Sequence, residues 1–250
     1  MLKKRVIPTL LLKGSRVVKG TKFSSYIDTG DPITTLRVLN AQDADELVFI
    51  DISSENEASC LPDLLKIASS ECFMPLTVGG GLNDIESMRS LLRHGADKLL
   101  INSSCHINPL LVSSAVDEFG SQCIVAGIDY RLHNDRRDVF INKGTTNTHI
   151  LIEDYIESIT KLGVGEFFFN SIEHDGSMSG CDLPFLEYLA GSLSLPYIYA
   201  GGVGNLLHLE EALKFSDAVS CGSFFLLSDN SPMRTRSYLR NQKFPTRRLK

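Results

Sequence analysis

No run of about 18 consecutive apolar residues occurs in the chain, which excludes an ordinary membrane-spanning helix. Positive charge is not in excess. Lys and Arg number 25 against 30 Asp and Glu, a net charge of −5 that argues against non-specific nucleic-acid binding. Paired cysteines are missing as well. Cys60, Cys72, Cys105, Cys123, Cys181 and Cys221 show no CxxC spacing, so neither a zinc site nor a disulfide framework is expected. Reduced thiols that pack as small hydrophobes suit a cytoplasmic protein. The N-terminal MLKKRVIPTLLLKG meets charge too soon for a secretory signal and reads as a first strand. The basic residues that do gather, Arg234, Arg236, Arg240, Lys243, Arg247, Arg248 and Lys250, read as a solvated tail.

Apolar residues make up 43% of the 250-residue chain, ample for a buried core. They fall into eight short runs: Arg5–Leu11, Leu47–Ile52, Leu76–Val78, Lys98–Ile101, Cys123–Asp129, Glu166–Asn170, Tyr197–Ala200 and Ala218–Cys221. The runs are continuous rather than alternating, as expected for parallel strands buried on both faces. Helical periodicity fills the intervals and continues in Pro232–Arg240. Eight such units predict a single (β/α)8 TIM barrel.

The chain repeats itself. PLTVGGGLNDIESMRSLLRHGADKLLINSS (75–104) matches PYIYAGGVGNLLHLEEALKFSDAVSCGSFF (196–225), each with strand, glycines, helix and strand in order. Two half-barrels, about 1–120 and 121–250, are therefore expected within one domain. The same register sets Asp129 of the fifth run opposite Leu11 of the first.

Long connections follow the first and fifth strands, Lys13–Gly30 and Arg131–Thr148, on the face where barrel active sites form. The second is predicted to be a hairpin turning at Lys143-Gly144. Glycines and small polar residues gather on that face. Gly79-Gly80-Gly81 with Asn102-Ser103, and Gly201-Gly202 with Gly222-Ser223, stand at equivalent places in the repeat. Glycine admits a phosphate close to backbone N–H groups, and a following helix adds its dipole. A phosphorylated, elongated small molecule with a phosphate at each end is the ligand these predict; turn glycines needing positive φ are the alternative. Asp129 is the candidate general acid/base. Asp175-Gly176 could meet a phosphate or hydroxyl, Asp51 lines the site or fixes its loop, and His174 reads as a loop histidine. Arg5, Glu46, Lys98 and Glu166 open their strands and would form a charged ring at the opposite end, either a salt-bridged floor or a gate.

Over essentially its whole length the chain resembles the HisF family, the cyclase subunit of imidazole glycerol phosphate synthase. RVIP, VVKG, GDP, DELVFIDI, VGGG, GADKLLINS, GVGEFFFNSIEHDG, AGGVG and CGSFF carry the resemblance. It implies a barrel that docks a HisH-like glutaminase at its N-terminal face and passes ammonia to the upper face, with no cofactor and no metal. There ammonia attacks a bisphosphorylated ribulosyl aminoimidazole nucleotide. By the same resemblance Asp129 is one catalytic aspartate and Lys19 the mobile-loop lysine. Phosphate contacts fall on Gly81, Asn102, Ser103, Asp175, Gly176, Gly202, Gly222 and Ser223, and the ammonia gate on Arg5, Glu46, Lys98 and Glu166. The family's other aspartate is replaced by Leu11. RVIP-x-LLLK and ECFMP resemble a HisF-like paralogue family that serves acetamidino modification of surface-polysaccharide sugars. That implies ammonia supply to a separate sugar amidotransferase. Histidine biosynthesis by an intact cyclase is the alternative.

Overall fold

The computed structural model describes residues 3–54, 59–133 and 136–247. Eight parallel strands close on themselves: β1 (Arg5–Lys13), β4 (Leu47–Asp51), β5 (Leu76–Gly79), β6 (Lys98–Ile101), β7 (Ile124–His133), β10 (Glu166–Ser171), β11 (Tyr197–Ala200) and β12 (Ala218–Cys221), with β12 pairing back onto β1. Helices alternate with them. They are α1 (Pro32–Ala41), α2 (Leu61–Glu71), α3 (Ile85–Arg93), α4 (Ser103–Ile107), α5 (Pro109–Phe119), α6 (Ile152–Thr160), α7 (Leu183–Ser192), α8 (Leu206–Phe215), α9 (Ser223–Leu226) and α10 (Pro232–Asn241). The expected (β/α)8 barrel is present. No helix among the described residues is long and apolar enough to cross a membrane.

Local chemistry sets the helix starts. Asp31, Asp84, Asn108, Asp182, Asn205 and Ser231 each accept a backbone N–H in the first turn. Proline in the first turn pre-sets φ in α1, α2, α5, α7 and α10. The first helix stops at Ala41, and Asp43 beyond it adopts φ +56.

The two long connections are built from strands. β1 runs on to Lys13 and turns into β2 (Arg16–Thr21) and β3 (Ser24–Gly30), an antiparallel hairpin over the mouth. β7 continues past Asp129 to His133 and pairs with β8 (Arg136–Ile141), which pairs with β9 (Thr146–Leu151). Asn142, Lys143 and Gly144 all take positive φ in that turn. Cys123 lies in a short 3-10 turn ahead of β7.

The basic tail reading needs correction. Arg236 is only 2% exposed and donates to Asp43 Oδ2 at 2.6 Å, while also pairing with Asp45 at 3.2 Å. Arg247 donates to Asp43 Oδ1 at 2.5 Å. Packing of α10 against β1 and α8 brings these cations under the loop before β4, where two aspartates await them. Arg248 and Lys250 lie outside the described residues. All six cysteines are free thiols.

The strand registers stack the inward residues in layers of four, drawn from alternate strands. From the floor upward run Glu46, Lys98, Glu166 and Ala218; then Ile7, Thr77, Val125 and Ile198; then Val48, Leu100, Phe168 and Ser220. Thr9, Gly79, Gly127 and Ala200 follow, and Ile50, Asn102, Asn170 and Gly222 lie above them. Leu11 and Asp129 stand in the top layer on opposite strands of the ring. The outward residues form the larger core against the helices.

Candidate active site at the mouth of the barrel

Asp129 stands near the end of the barrel part of β7, at the bottom of the mouth. It accepts a hydrogen bond from Asn102 Nδ2 at 2.9 Å, and Asn170, its ladder partner on β10, lies beside it. Burial pushes its carboxyl up to about 7; Asn102 and Asn170 pull it down, and the charge of Asp175 adds to the rise. A carboxyl that titrates near neutrality can both hold and release a proton at physiological pH. Leu11, half-buried, faces it across the mouth from β1, where it pairs with Ile50 and Val18. Leucine offers neither a proton nor a lone pair.

The β2–β3 hairpin brings Lys19 over the mouth. Its ammonium, 5% exposed, donates to Asp175 Oδ1 at 2.7 Å, and its aliphatic stem packs against Gly222. Gly176 lies so close under Gly20 that a Cβ there would overlap the Gly20 carbonyl oxygen. Lys22 N donates to the Asp175 carbonyl at 2.9 Å and Lys22 Nζ to Glu173 at 3.0 Å, which fastens the hairpin to the loop after β10. On the other side Lys143 Nζ donates to the carbonyls of Ile52 and Ser53, each at 2.8 Å. Asn142 N donates to Ser103 Oγ at 3.0 Å.

The glycine positions repeat in detail. Gly80 and Gly201 have φ of +108 and +114, and Gly81 and Gly202 have +65 and +90. Asn102 and Gly222 share an unusual backbone, with ψ of −89 and −77, and each turns its strand into a one-turn helix starting at a serine. Their reasons differ. A Cβ at Gly202 would overlap the Gly180 carbonyl oxygen, whereas a Cβ at Gly81 would meet nothing. Gly202→Ala is therefore expected to lower the unfolding midpoint markedly. Gly81→Ala should cost only about 1 kcal/mol of left-handed strain. Thermal melts of the two variants check both. Ser223 Oγ and Asp175 Oδ2 are buried and have no hydrogen-bond partner among the described residues.

Two other predicted residues serve the loops. Asp51 Oδ1 accepts from Ser53 N at 2.8 Å, and His174 Nδ1 meets Ser171 Oγ at 2.7 Å. The structure also adds residues that sequence reasoning passed over. Asn170 ends the EFFFN run and reaches Asp129; a polar residue closing an apolar strand was its signal. Tyr26 packs its ring on Gly20 at the hairpin and feels the charges of Asp175 and Asp129. No local pattern marks it, because the hairpin's fold over the mouth places it there.

At the opposite face Arg5 donates to Glu46 at 2.8 Å and to Glu166 at 2.5 Å. Lys98 donates to Glu166 at 2.8 Å and lies 3.7 Å from Glu46. The four form one closed ring in which each cation bridges both carboxylates. Burial raises the Glu166 carboxyl, but Arg5 and Lys98 outweigh it and hold it below its ordinary value. Arg5→Ala leaves two buried carboxylates with one cation and is expected to destabilise the fold by about 3 kcal/mol in urea titrations. Beneath the ring opens a recess of about 680 Å³ lined by Lys3, Lys4, Asp45, Gln122, Asp217 and Arg247 among others. Among the described residues no group of three His, Cys, Asp or Glu is placed to hold a metal ion.

Fold and site together define a (β/α)8 barrel with a titratable mouth and a charged floor. The family described as "Histidine biosynthesis protein" matches residues 5–229. The chain is 38% identical over 252 residues to "Imidazole glycerol phosphate synthase subunit HisF" of Clostridium botulinum strain 657 (Type Ba4), covering 99% of this chain and 100% of that one. The proteins of the same name from strains Kyoto (Type A2) and Langeland show the same identity and coverage. The chain belongs to the histidine biosynthesis protein family and, within it, to the HisF family.

Proposed function

We propose that the chain is the ammonia-conducting barrel of a glutamine-dependent amidotransferase assembly. A HisH-like glutaminase docks on the charged floor recess, and ammonia released there crosses the apolar interior to the mouth. The acceptor chemistry is acetamidino formation on a surface-polysaccharide sugar: on a separate amidotransferase a nucleoside triphosphate activates the acetamido oxygen, ammonia adds to the carbon, and the oxygen leaves with the phosphoryl or nucleotidyl group. The observation that carries this reading is Leu11 facing Asp129: one half of an acid/base pair is absent while all four residues of the floor ring are in place. Neutral ammonia suits a passage walled by Ile7, Val48, Leu100, Val125 and Ile198, which disfavours ions. Lys19, Gly222 and Ser223, with the glycines after β5 and β11, make a phosphorylated small molecule the natural occupant of the mouth.

The test combines glutamine hydrolysis and binding. The chain is expected to bind a HisH-like glutaminase and raise its turnover; a glutaminase that neither binds nor responds would end this reading. The relatives' shared name favours a second reading, the cyclase of imidazole glycerol phosphate synthase working with Asp129 alone. Growth of a cyclase-deficient histidine auxotroph on this gene would establish it. No growth is expected.

A further inference from the structure

Between floor ring and mouth the barrel axis crosses a packed layer in which one side chain is out of scale. Val48, Leu100, Phe168 and Ser220 share that layer. Phe168, 3% exposed, belongs to the apolar cluster inside the strands with Ile7, Val48, Leu100 and Ile198. Among the described residues it is the one aromatic in that cluster. Its chain neighbours Phe167 and Phe169 point the other way, into the helix-side core, where their rings stack with centroids 5.4 Å apart. Interiors pack to crystal-like density, so a phenyl ring at this height closes the axis.

The layer above is built of small residues: Thr9, Gly79, Gly127 and Ala200. Leu100 occupies the side next to the glycines, since a Cβ on Gly127 would stand 3.2 Å from Leu100 Cδ1. Ala200, two residues above Ile198, the ladder partner of Phe168, presents only a methyl group on the flank toward the mouth. A rotation of the ring toward that flank uses side-chain torsions only, with no change of backbone. In the layer below, Thr77 is fully buried and its hydroxyl has no hydrogen-bond partner among the described residues. An unpaired hydroxyl in an apolar wall is a resting point for one small hydrogen-bonding molecule.

We infer that Phe168 is the plug of the barrel, a second closure in series with the floor ring, and that it swings toward Ala200 to let ammonia pass. This rests on the proposed ammonia-conducting role. Two closures in series admit a small neutral molecule while keeping ions and bulk water from the mouth.

Xenon, a small apolar probe, reads the closure without partner or substrate. In xenon-pressurised crystals Phe168→Ala is expected to hold a new atom on the axis beside Val48, Leu100 and Ala200, and the wild type and Phe168→Trp none there. Xenon at that place in the wild type, or none in a folded Phe168→Ala or Phe168→Leu variant, overturns the plug. The second arm uses the chain with its glutaminase, the sugar amidotransferase and its acceptor, amide-labelled glutamine and unlabelled ammonium salt. Phe168→Trp is expected to cut the fraction of product nitrogen drawn from glutamine about tenfold while leaving the ammonium-supported rate unchanged. An unchanged fraction overturns the role. Should no glutaminase bind, the proposed function falls, and the xenon result decides the plug by itself.

Discussion

Leu11→Asp is expected to raise ammonia-dependent cyclase turnover by about 10²–10⁴-fold over the wild type, the usual contribution of a positioned acid/base group. The geometry around the position favours the substitution. Leu11 is half-buried and opens onto the mouth, so a carboxylate there keeps solvent contact. Its backbone pairs with Ile50 and Val18 through the β1 ladder, which does not depend on the side chain. Asp129 already faces it, held by Asn102. Residues that act as a pair fail together, so the wild type should stay near background even though Asp129 remains. Assay with the bisphosphorylated ribulosyl aminoimidazole nucleotide and ammonium salt measures both. Wild-type turnover far above background and equal to that of the variant would show that Leu11 is no obstacle, and the histidine reading would replace ours.

The second large effect concerns Asp129 and pH. Its carboxyl titrates near 7 when folded, well above the ordinary carboxylate range, because of burial. Between about pH 4 and 7 the folded chain therefore keeps a proton that the unfolded chain has released. Protons bound in excess by the folded state make stability fall as pH rises through that window, then level off above it. The full loss is at most roughly 4 kcal/mol, a ceiling because the mouth admits solvent. Asp129→Asn carries no such proton. The variant should lose this slope and be more stable than the wild type at pH 8, with little difference at pH 4. Urea titrations at the two pH values measure it. Any proton transfer performed at the mouth should disappear in the same variant, and in the wild type should change over near pH 7. A wild-type stability that rises from pH 4 to pH 7 by more than in Asp129→Asn would contradict the assignment.

Most of the barrel was legible beforehand for a physical reason. A parallel strand buried on both faces must be a short apolar run, and a helix covering it must be amphipathic, so alternation along the chain mirrors alternation in space. Lys98–Ile101, Tyr197–Ala200 and Ala218–Cys221 agree residue for residue with the observed strands. The strand Ser24–Gly30 carries no strand signal because it is polar and half-exposed, SSYIDTG, and owes its form to pairing with β2. Arg236 escaped for the opposite reason. A charged residue in a basic stretch has the composition of a surface tail, and only the packing of α10 shows that Asp43 and Asp45 lie beneath it.

The chain's own order of residues determined the eightfold alternation, the doubled glycine turns, the charged strand starts and the register that sets Leu11 opposite Asp129. These are local facts, set by side-chain type and by the period of burial. Tertiary structure alone decided what meets what. It placed Asn102 on Asp129 and Lys19 on Asp175, joined Arg5, Glu46, Lys98 and Glu166 into one ring, and turned Phe168 inward between Phe167 and Phe169. Barrel closure and stagger bring residues far apart in the chain into the same layer, and no local pattern encodes that arrangement.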